Sequence, residues 1–394
     1  MLNSRQLFLH HVAQTSEAPM MLEIVKAEGI YLYDANGNIY TDLISGISVS
    51  NVGHRHPHVL KAIQEQLNCY MHLMVYGEYI QYPQVKLATK LAAHLHGLDS
   101  IYFVNSGSEA VEGALKLARR FTGRKKIISF KNAYHGSTTG ALSLMSDHYF
   151  TDPFQPLLPE IYHINTENYI ELEAIDEHTA GVFVEYIRGE AGAEVVSTEF
   201  LTAIRNRCTE TGALFIADEI QTGFGRTGSL FAFTQHSFTP DIIVMAKGMG
   251  GGMPLGAFAA SRSLMECLTH DPVLGHITTF GGHPVSCAAS LATLETILEI
   301  DLKNHINSLE SLIRSKLQHP LIHCISGKGL LLGVDFGDVI TAQKVITNCI
   351  QQNIITDWFL FAPHKMRIAP PITITLEEMS ISCDKIMAAI ELSQ

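Results

Sequence analysis

The chain has few features that would mark a secreted or membrane protein. Its 394 residues include seven cysteines, an odd number, and none forms a Cys-X-X-Cys pair. Scattered cysteines are typical of buried thiols in a reducing compartment and argue against a disulfide framework. The sequence has no run of about eighteen apolar residues, and residues 1–15 lack the apolar stretch of a signal peptide. We therefore expect a cytoplasmic protein with no membrane partner.

Positive charge is also scarce. Lys and Arg total 27 against 39 Asp and Glu, a formal net charge of −12. Nucleic acids need a basic face, so this balance argues against a nucleic-acid partner. A phosphorylated small molecule remains compatible, because a glycine-rich loop can bind phosphate through backbone N–H groups whatever the net charge. No metal site is predicted.

Short apolar runs alternate with helix-length segments in the middle of the chain. Such a pattern indicates buried strands of a mainly parallel α/β sheet, whose ligands bind at the carboxyl ends of the strands. The six runs are residues 101–104, 126–130, 181–184, 213–217, 241–245 and 255–259.

The two ends of the chain have a different pattern. Residues 22–43 alternate apolar and polar side chains around an Asn-Gly turn, which predicts a β-meander. After Pro284 one amphipathic stretch extends to about Leu317, followed by a β-like segment and a helix. We expect residues 1–50 and 291–394 to form a smaller α+β domain beside a large domain of residues 51–290.

Polar residues after the first two runs suit a phosphorylated ring. Ser106, Gly107 and Ser108 precede a helical pattern, and the N–H groups at a helix N-terminus bind phosphate. An ordinary Ser N-cap explains this motif equally well. Tyr134, beside His135, could stack on a pyridine ring, although a core position is the commoner fate of such a side chain.

Asp218 and Lys247 follow two later runs. A buried carboxylate at Asp218 needs a partner, such as a protonated pyridine nitrogen, and Gln221 could donate to a ring hydroxyl. A capping Asp is the alternative. Lys247 lies between an apolar run and Gly248–Gly252, where desolvation would make its amine nucleophilic. A lysine that extends to solvent is the alternative.

Residues 223–228 spell Gly-X-Gly-X-X-Gly after a strand and raise the possibility of dinucleotide binding. The context argues against it. The aromatic residues that follow do not predict a helix that begins at the glycines, and no strand with an acidic end follows at the spacing of about twenty residues.

Taken in order, these motifs are similar to those of a known family. Ser-Gly-Ser, Tyr-His-Gly, the stretch 218–228, Ala-Lys-Gly and Thr-Thr-Phe-Gly-Gly at 278–282 resemble the class III aminotransferases of fold type I, which depend on pyridoxal 5′-phosphate (PLP). The similarity extends from about Gly29 to Pro371. It implies a mainly parallel seven-stranded sheet between helices, and a homodimer with shared active sites.

The resemblance also implies a role for each matching residue. Lys247 would carry the cofactor as a Schiff base and move the proton, and Asp218 would pair with the ring nitrogen. Thr279 would reach the phosphate of the neighbouring subunit's cofactor. The whole implied cofactor-binding set is Ser106, Gly107, Ser108, Tyr134, His135, Glu185, Asp218, Gln221, Lys247 and Thr279.

Arg367, Glu190, Ser137 and Tyr76 are the implied substrate-binding residues. In ornithine- and acetylornithine-type relatives, the arginine at position 367 binds the substrate carboxylate, and the glutamate at position 190 masks it when the donor presents a distal amine. A surface ion pair and a solvated loop residue are the alternatives.

Three positions depart from the family pattern. Ser137 replaces an arginine that binds a distal carboxylate in these relatives, which weakens the case for glutamate or 2-oxoglutarate. The second departure is Arg188, and one hypothesis is that it supplies the missing positive charge. His283 replaces the usual Asn.

The resemblance therefore predicts a ping-pong aminotransferase that acts on an amino donor, such as acetylornithine or ornithine, and a 2-oxo acid. An aminomutase, a racemase or a decarboxylase of the same family is the alternative. A non-catalytic PLP-binding regulator is a third hypothesis, disfavoured because no basic DNA-binding extension is present.

Overall fold

A computed structural model describes residues 3–393. The strands, numbered in chain order, are β1 Ile24–Glu28, β2 Tyr31–Asp34, β3 Ile39–Asp42, β4 Ser100–Val104, β5 Lys126–Phe130, β6 Ile161–Ile164, β7 Thr179–Glu185, β8 Ile187–Arg188, β9 Glu194–Val195, β10 Leu214–Asp218, β11 Ile242–Met245, β12 Gly256–Ala260, β13 Cys324–Lys328, β14 Leu331–Asp335, β15 Ile354–Ile355, β16 Trp358–Phe359 and β17 Ala362–Ile368.

The α-helices are also numbered in chain order. They are α1 Ser4–His11, α2 Ser45–Ser48, α3 Pro57–Cys69, α4 Tyr82–Ala92, α5 Gly107–Thr122, α6 Thr139–Ser143, α7 His148–Thr151, α8 Thr198–Thr211, α9 Arg262–Met265, α10 Pro284–Leu298, α11 Leu302–Lys316, α12 Val339–Gln351 and α13 Leu376–Glu391. Short 3-10 segments occupy Asp152–Phe154, Tyr169–Ala174, Ala232–Gln235, Lys247–Gly250 and Glu266–Leu268.

A seven-stranded sheet forms the centre of the molecule, in the order β4-β12-β11-β10-β7-β5-β6. Strand β12 runs antiparallel to both of its neighbours, and the other pairs are parallel. The prediction of a mainly parallel sheet is confirmed. Every residue of β7, β10, β11 and β12 is buried, which explains their continuous apolar runs. The seventh strand, β6, was not predicted. It lies at the edge of the sheet and its Tyr162 is exposed, so it lacks the continuous apolar run of the buried strands.

Helix α5 packs closely on this sheet. Its apolar stripe includes the buried residues Val111, Leu115 and Ala118. A Cβ atom at Gly113 would lie 2.2 Å from the ring of Phe258 on β12. The missing side chain therefore lets the helix approach the sheet, which fixes the position of the helix N-terminus beside the ends of the strands.

Both ends of the chain contribute to the remaining sheets. The predicted meander is present as β1, β2 and β3, and the C-terminal strand β15 pairs in parallel with β3. A second sheet has the order β13-β14-β17-β16. These pairings bring residues from both termini together, as expected for the smaller domain. Its boundaries remain a prediction.

The single amphipathic stretch expected from Pro284 to Leu317 is wrong. The structure has two helices, α10 and α11, and the Asp301 side chain caps the second by accepting a hydrogen bond from Asn304 N. Helix α10 is buried on nearly all sides and packs on α3 and α4. The boundary proposed at residue 290 therefore falls inside a helix that packs on elements of the large domain.

The glycine motif at 223–228 forms turns, and no helix begins there. The dinucleotide alternative thus gains no support. Arg226, in the middle of the motif, is fully buried. Its guanidinium donates to the Leu330 carbonyl oxygen at 3.1 Å, and also to the Pro370 carbonyl and the Asn51 side chain. The motif therefore joins distant parts of the chain through one arginine.

Within residues 3–393, no helix is both long and apolar enough to cross a bilayer. Placement in the cytoplasm stays a prediction from the sequence.

Candidate active site

A cavity of about 460 Å³ opens at the carboxyl ends of the central strands. Parallel strands end at the same edge of a sheet, so residues far apart in sequence meet there. Nine of the residues predicted to bind the cofactor line this cavity, and they are Ser106, Gly107, Ser108, Tyr134, His135, Glu185, Asp218, Gln221 and Lys247.

One wall of the cavity is the N-terminus of α5. Ser106 caps the helix, and its Oγ accepts a hydrogen bond from Glu109 N at 3.2 Å. The N–H groups of Gly107 and Ser108 lie in the first turn, where a helix supplies no acceptor. A Cβ atom at Gly107 would lie 2.9 Å from Ile220, and one at Gly136 only 2.1 Å from Ser108 Oγ. This crowded backbone cradle suits a phosphate group.

Asp218 and His135 form a buried pair on another wall. Asp218 Oδ2 lies 2.6 Å from His135 Nδ1, and Asp218 Oδ1 accepts from Ile220 N at 2.9 Å. Burial opposes a proton on His135, but the Asp218 carboxylate outweighs it and raises the pKa of the imidazole. The contact with His135 fixes the orientation of the Asp218 carboxylate, whose position suits it to pair with a protonated heterocycle nitrogen.

Glu185 lies next to Asp218, because the two residues are register partners on β7 and β10. Its carboxylate accepts from Gly189 N at 3.1 Å and from Tyr134 N at 3.2 Å. Burial, together with the charge of Asp218, raises the pKa of Glu185 to about 7. Glu185 therefore fixes the backbone that presents the Tyr134 ring to the cavity.

Lys247 follows β11 and begins a 3-10 segment at the floor of the cavity. Its φ of +48° is rare for a residue with a side chain, and such strain concentrates at active sites. Burial lowers the pKa of the amine, although the negative charge of Glu190 opposes that shift. The amine is thus more readily deprotonated than an exposed lysine, which makes it a better nucleophile.

Gln221 lines the cavity and offers an amide for contact with a ring hydroxyl. Its amide Nε2 donates to Glu190 Oε1 at 3.0 Å, whereas its Oε1 is buried without a hydrogen-bond partner among residues 3–393. A ring hydroxyl could contact Gln221 Oε1, and the second N–H of Nε2 could donate to the hydroxyl oxygen, so the predicted donation stays a prediction.

Glu190 and Arg367 form a two-pronged ion pair behind Gln221. Both Nη atoms of Arg367 lie 3.0 Å from the two carboxylate oxygens, and both side chains are almost fully buried. Burial opposes ionisation of Glu190, but Arg367 outweighs it and lowers the pKa of that carboxyl to about 2. Both groups are thus charged at neutral pH.

The departures from the family pattern now have structural consequences. The Ser137 Oγ lies 3.0 Å from the Tyr134 hydroxyl, so an uncharged contact occupies the position where the relatives carry arginine. Arg188 pairs with Glu194 and donates to the Lys131 carbonyl at 2.7 Å, which leaves the hypothesis that it supplies the missing charge without support.

His283 has a structural role. Its Nδ1 accepts a hydrogen bond from Val285 N at 3.3 Å and caps α10, and its ring stacks on His72 with centroids 5.6 Å apart.

Five predicted residues are not among those that line this cavity in a single chain. Glu190 and Arg367 lie behind Gln221, Ser137 follows Gly136 at its edge, and Tyr76 and Thr279 lie elsewhere. Thr279 is exposed. Tyr76 lines a separate pocket with Phe103, Thr278 and Gly281. Neither side chain is among those that line the cavity around Lys247.

Sequence reasoning missed Asp357. It precedes β16, and its Oδ1 accepts a hydrogen bond from Arg367 Nε at 3.0 Å. Burial, with the charge of Glu190, raises the pKa of Asp357 to about 6 although Arg367 opposes the shift. No sequence motif marks this residue. It reaches Arg367 only because β16 pairs with β17, and the sequence alone does not show that pairing.

The residues present fit PLP. The cradle suits its phosphate, Asp218 its ring nitrogen, Tyr134 its ring face and Lys247 its aldehyde. The unpartnered Gln221 Oε1 is an acceptor that a ring hydroxyl would satisfy. Together with the sheet topology, these features define the fold type I class of PLP-dependent enzymes.

Comparison with known proteins narrows the class. A family model described as Aminotransferase class-III matches residues 12–390. The acetylornithine aminotransferase of Archaeoglobus fulgidus is 39% identical over 370 residues, which cover 94% of this chain and 95% of that protein. That of Methanopyrus kandleri is 41% identical over 84% of each chain.

Solved structures agree with the sequence comparison. The ornithine aminotransferase from Toxoplasma gondii superposes with a TM-score of 0.91 at 29% identity, covering 98% of this chain and 92% of the other. The chain therefore belongs to the class III aminotransferases. It is a PLP-dependent aminotransferase that acts on a small-molecule amino donor and a 2-oxo acid.

The environment of Lys247 predicts its reactivity in the cofactor-free enzyme. Because burial lowers the pKa of the amine, modification by an acylating reagent should reach half its maximal rate below about pH 10.4, the ordinary midpoint of a lysine. Replacement Glu190→Gln should lower that midpoint further, since the Glu190 charge raises it. Peptide mass spectrometry across a pH series measures both. A midpoint at or above the ordinary value contradicts the prediction.

Proposed function

We propose that the enzyme works by a ping-pong exchange in which one pocket serves two substrates in turn. The donor would present a distal amine, as in acetylornithine or ornithine, and the acceptor would be a 2-oxo acid. The buried pair of Glu190 and Arg367 beside Lys247 is the observation that supports this proposal. An arginine that is masked by a movable acid suits a pocket that must accept carboxylate-free and carboxylate-bearing ends alternately.

In this proposal Lys247 is the covalent anchor and the catalytic base. Bound PLP withdraws electrons from the substrate carbon that bears the nitrogen. Lys247 Nζ would take the proton from that carbon and release it again, as the 1,3-proton transfer of a transamination requires. Asp218 keeps a proton on the ring nitrogen, and its hydrogen bond to His135 fixes the orientation of the carboxylate. The N-terminus of α5 holds the phosphate.

Glu190 would act as the mask. With a distal amine in the pocket, Glu190 stays on Arg367 through two hydrogen bonds of 3.0 Å. With a 2-oxo acid, the substrate carboxylate takes the same edge of the guanidinium and Glu190 turns away. Exchange of one carboxylate for another keeps the buried charge of Arg367 compensated.

Transamination is favoured over the other reactions considered from the sequence. The named relatives are aminotransferases, and none of the comparisons favours an aminomutase, a racemase, a decarboxylase or a regulator. A masked arginine also has a use only where two different substrates enter one pocket.

Replacement Lys247→Ala tests the proposed base. We expect the transamination rate to fall by about a hundredfold or more, because the base and the covalent anchor are lost together. Lys116→Ala, on the exposed side of α5, is the matched control and should keep wild-type activity. The measurement is multiple-turnover transamination with an amino-donor panel. Wild-type turnover in Lys247→Ala would refute the assignment.

Ser137 should influence the choice of acceptor. Because Ser137 offers a hydroxyl where a distal carboxylate would need a cation, Ser137→Arg should raise kcat/KM for 2-oxoglutarate relative to pyruvate about tenfold. Ser137→Gln adds similar length without charge and controls for bulk. Steady-state kinetics with both acceptors gives the ratio. An equal change in both variants would show that charge is not the cause.

We also propose a homodimer with shared active sites. The support is that Thr279 is exposed within one chain and lies beside exposed apolar side chains, including Ile277 and Phe280. Sedimentation of the holoenzyme should give the mass of two chains, and Thr279→Ala should weaken PLP binding about tenfold through a lost hydrogen bond. An active monomer, or unchanged PLP affinity in Thr279→Ala, would contradict the shared site.

A further inference from the structure

Every side of the Arg367 guanidinium has a partner. Its outer edge, formed by the two Nη atoms, binds Glu190 at 3.0 Å, and its Nε edge binds Asp357 Oδ1 at 3.0 Å. The flat face lies 4.4 Å from the Phe359 ring centroid, and Nη2 also donates to the Trp358 carbonyl at 3.2 Å. Two acids therefore share one arginine, and they use different edges.

Only one of these acids lies on the side of the cavity. Glu190 accepts a hydrogen bond from Gln221, which lines the cavity, whereas Asp357 belongs to the segment before β16. An incoming carboxylate that binds with two prongs needs the edge that Glu190 occupies. When Glu190 leaves, the Nε edge keeps its contact with Asp357.

The backbone fixes Asp357 relative to Arg367. Arg367 N donates to the Asp357 carbonyl at 2.8 Å, and Thr356 Oγ1 donates to the Arg367 carbonyl at 2.6 Å. Strand β16 pairs with β17 directly after Asp357. The acid and the arginine are thus held by adjacent strands of one sheet. Glu190 lies in the turn between β8 and β9 and contacts that sheet through two N–H groups of the β16–β17 turn, which donate to its Oε2 at 3.2 Å and to its carbonyl at 3.0 Å.

We propose that Asp357 is a positioning residue that keeps the outer edge of Arg367 directed at the substrate carboxylate after Glu190 has turned away. The inference rests on the proposed exchange at Arg367. The negative charge of Asp357 does not favour the substrate over Glu190, because it acts equally on both carboxylates that bind the outer edge of Arg367. Its contribution is to fix the guanidinium, because a diffusing substrate needs a fixed edge more than a tethered glutamate does.

The test compares Asp357→Ala with Asp357→Asn in the holoenzyme. Asparagine keeps an oxygen that can accept from Arg367 Nε, and alanine does not. We expect Asp357→Ala to raise KM for the 2-oxo acid about tenfold while kcat changes less than about twofold. Asp357→Asn should stay within about threefold of the wild-type KM. Glu310→Gln, which disrupts an acid–arginine pair with Arg314 elsewhere in the C-terminal part of the chain, is the matched control and should leave KM unchanged.

The outcomes separate this inference from the proposed function. If the wild-type enzyme exchanges amino groups but KM is unchanged in Asp357→Ala, the positioning role is overturned and the transaminase assignment stands. Equal increases of KM in the alanine and asparagine variants also overturn it, as does a rise in KM that appears only with lost PLP or a lower melting temperature. Should Asp357→Ala fail to fold, Asp357→Leu, which also lacks an acceptor, replaces it. We then expect KM for the 2-oxo acid to change by about threefold or less in Asp357→Asn and by more in Asp357→Leu.

Discussion

The ion pair between Arg367 and Glu190 is the interaction on which the working of this site depends. It connects β17 in the C-terminal part of the chain with the turn that follows β8 beside the large sheet. Removing one partner of such a buried pair costs about 3–5 kcal/mol, because the remaining charge is left uncompensated. A substrate that supplies its own carboxylate avoids that cost. In the proposed exchange, the pair would link binding of one class of substrate to movement of a single acidic side chain.

A second set of charges acts on the cofactor side. Asp218, His135 and Glu185 lie at the ends of neighbouring strands or in the loop beside them. The Asp218 carboxylate contributes to raising the pKa values of both His135 and Glu185. Like charges on Glu185 and Asp218 disfavour two free carboxylates, and His135 compensates one of them. Asp218 therefore has a partner in His135, while Glu185 accepts hydrogen bonds from backbone N–H groups.

Much of this arrangement follows from short motifs in the sequence. Lys247 and Asp218 each come directly after an apolar run, so the rule that ligands bind at the carboxyl ends of strands predicted their proximity. Contacts that depend on tertiary pairing could not be found in this way. Asp357 meets Arg367 through the register of β16 and β17, and the direction of the Gln221 amide depends on Glu190. The break between α10 and α11 was missed because no glycine or proline interrupts residues 285–317.

The burial of Arg226 has a consequence for how substrates enter. Its guanidinium contacts Asn51 before α3, the Leu330 carbonyl before β14 and the Pro370 carbonyl after β17. Pulling these segments apart would leave a desolvated cation without acceptors, a large penalty in an apolar interior. Wide hinge opening is therefore disfavoured. We therefore expect substrates to enter through the opening that the cavity already has. The switch between amino donor and 2-oxo acid would then depend on rotation of individual side chains, which is fast compared with domain motion.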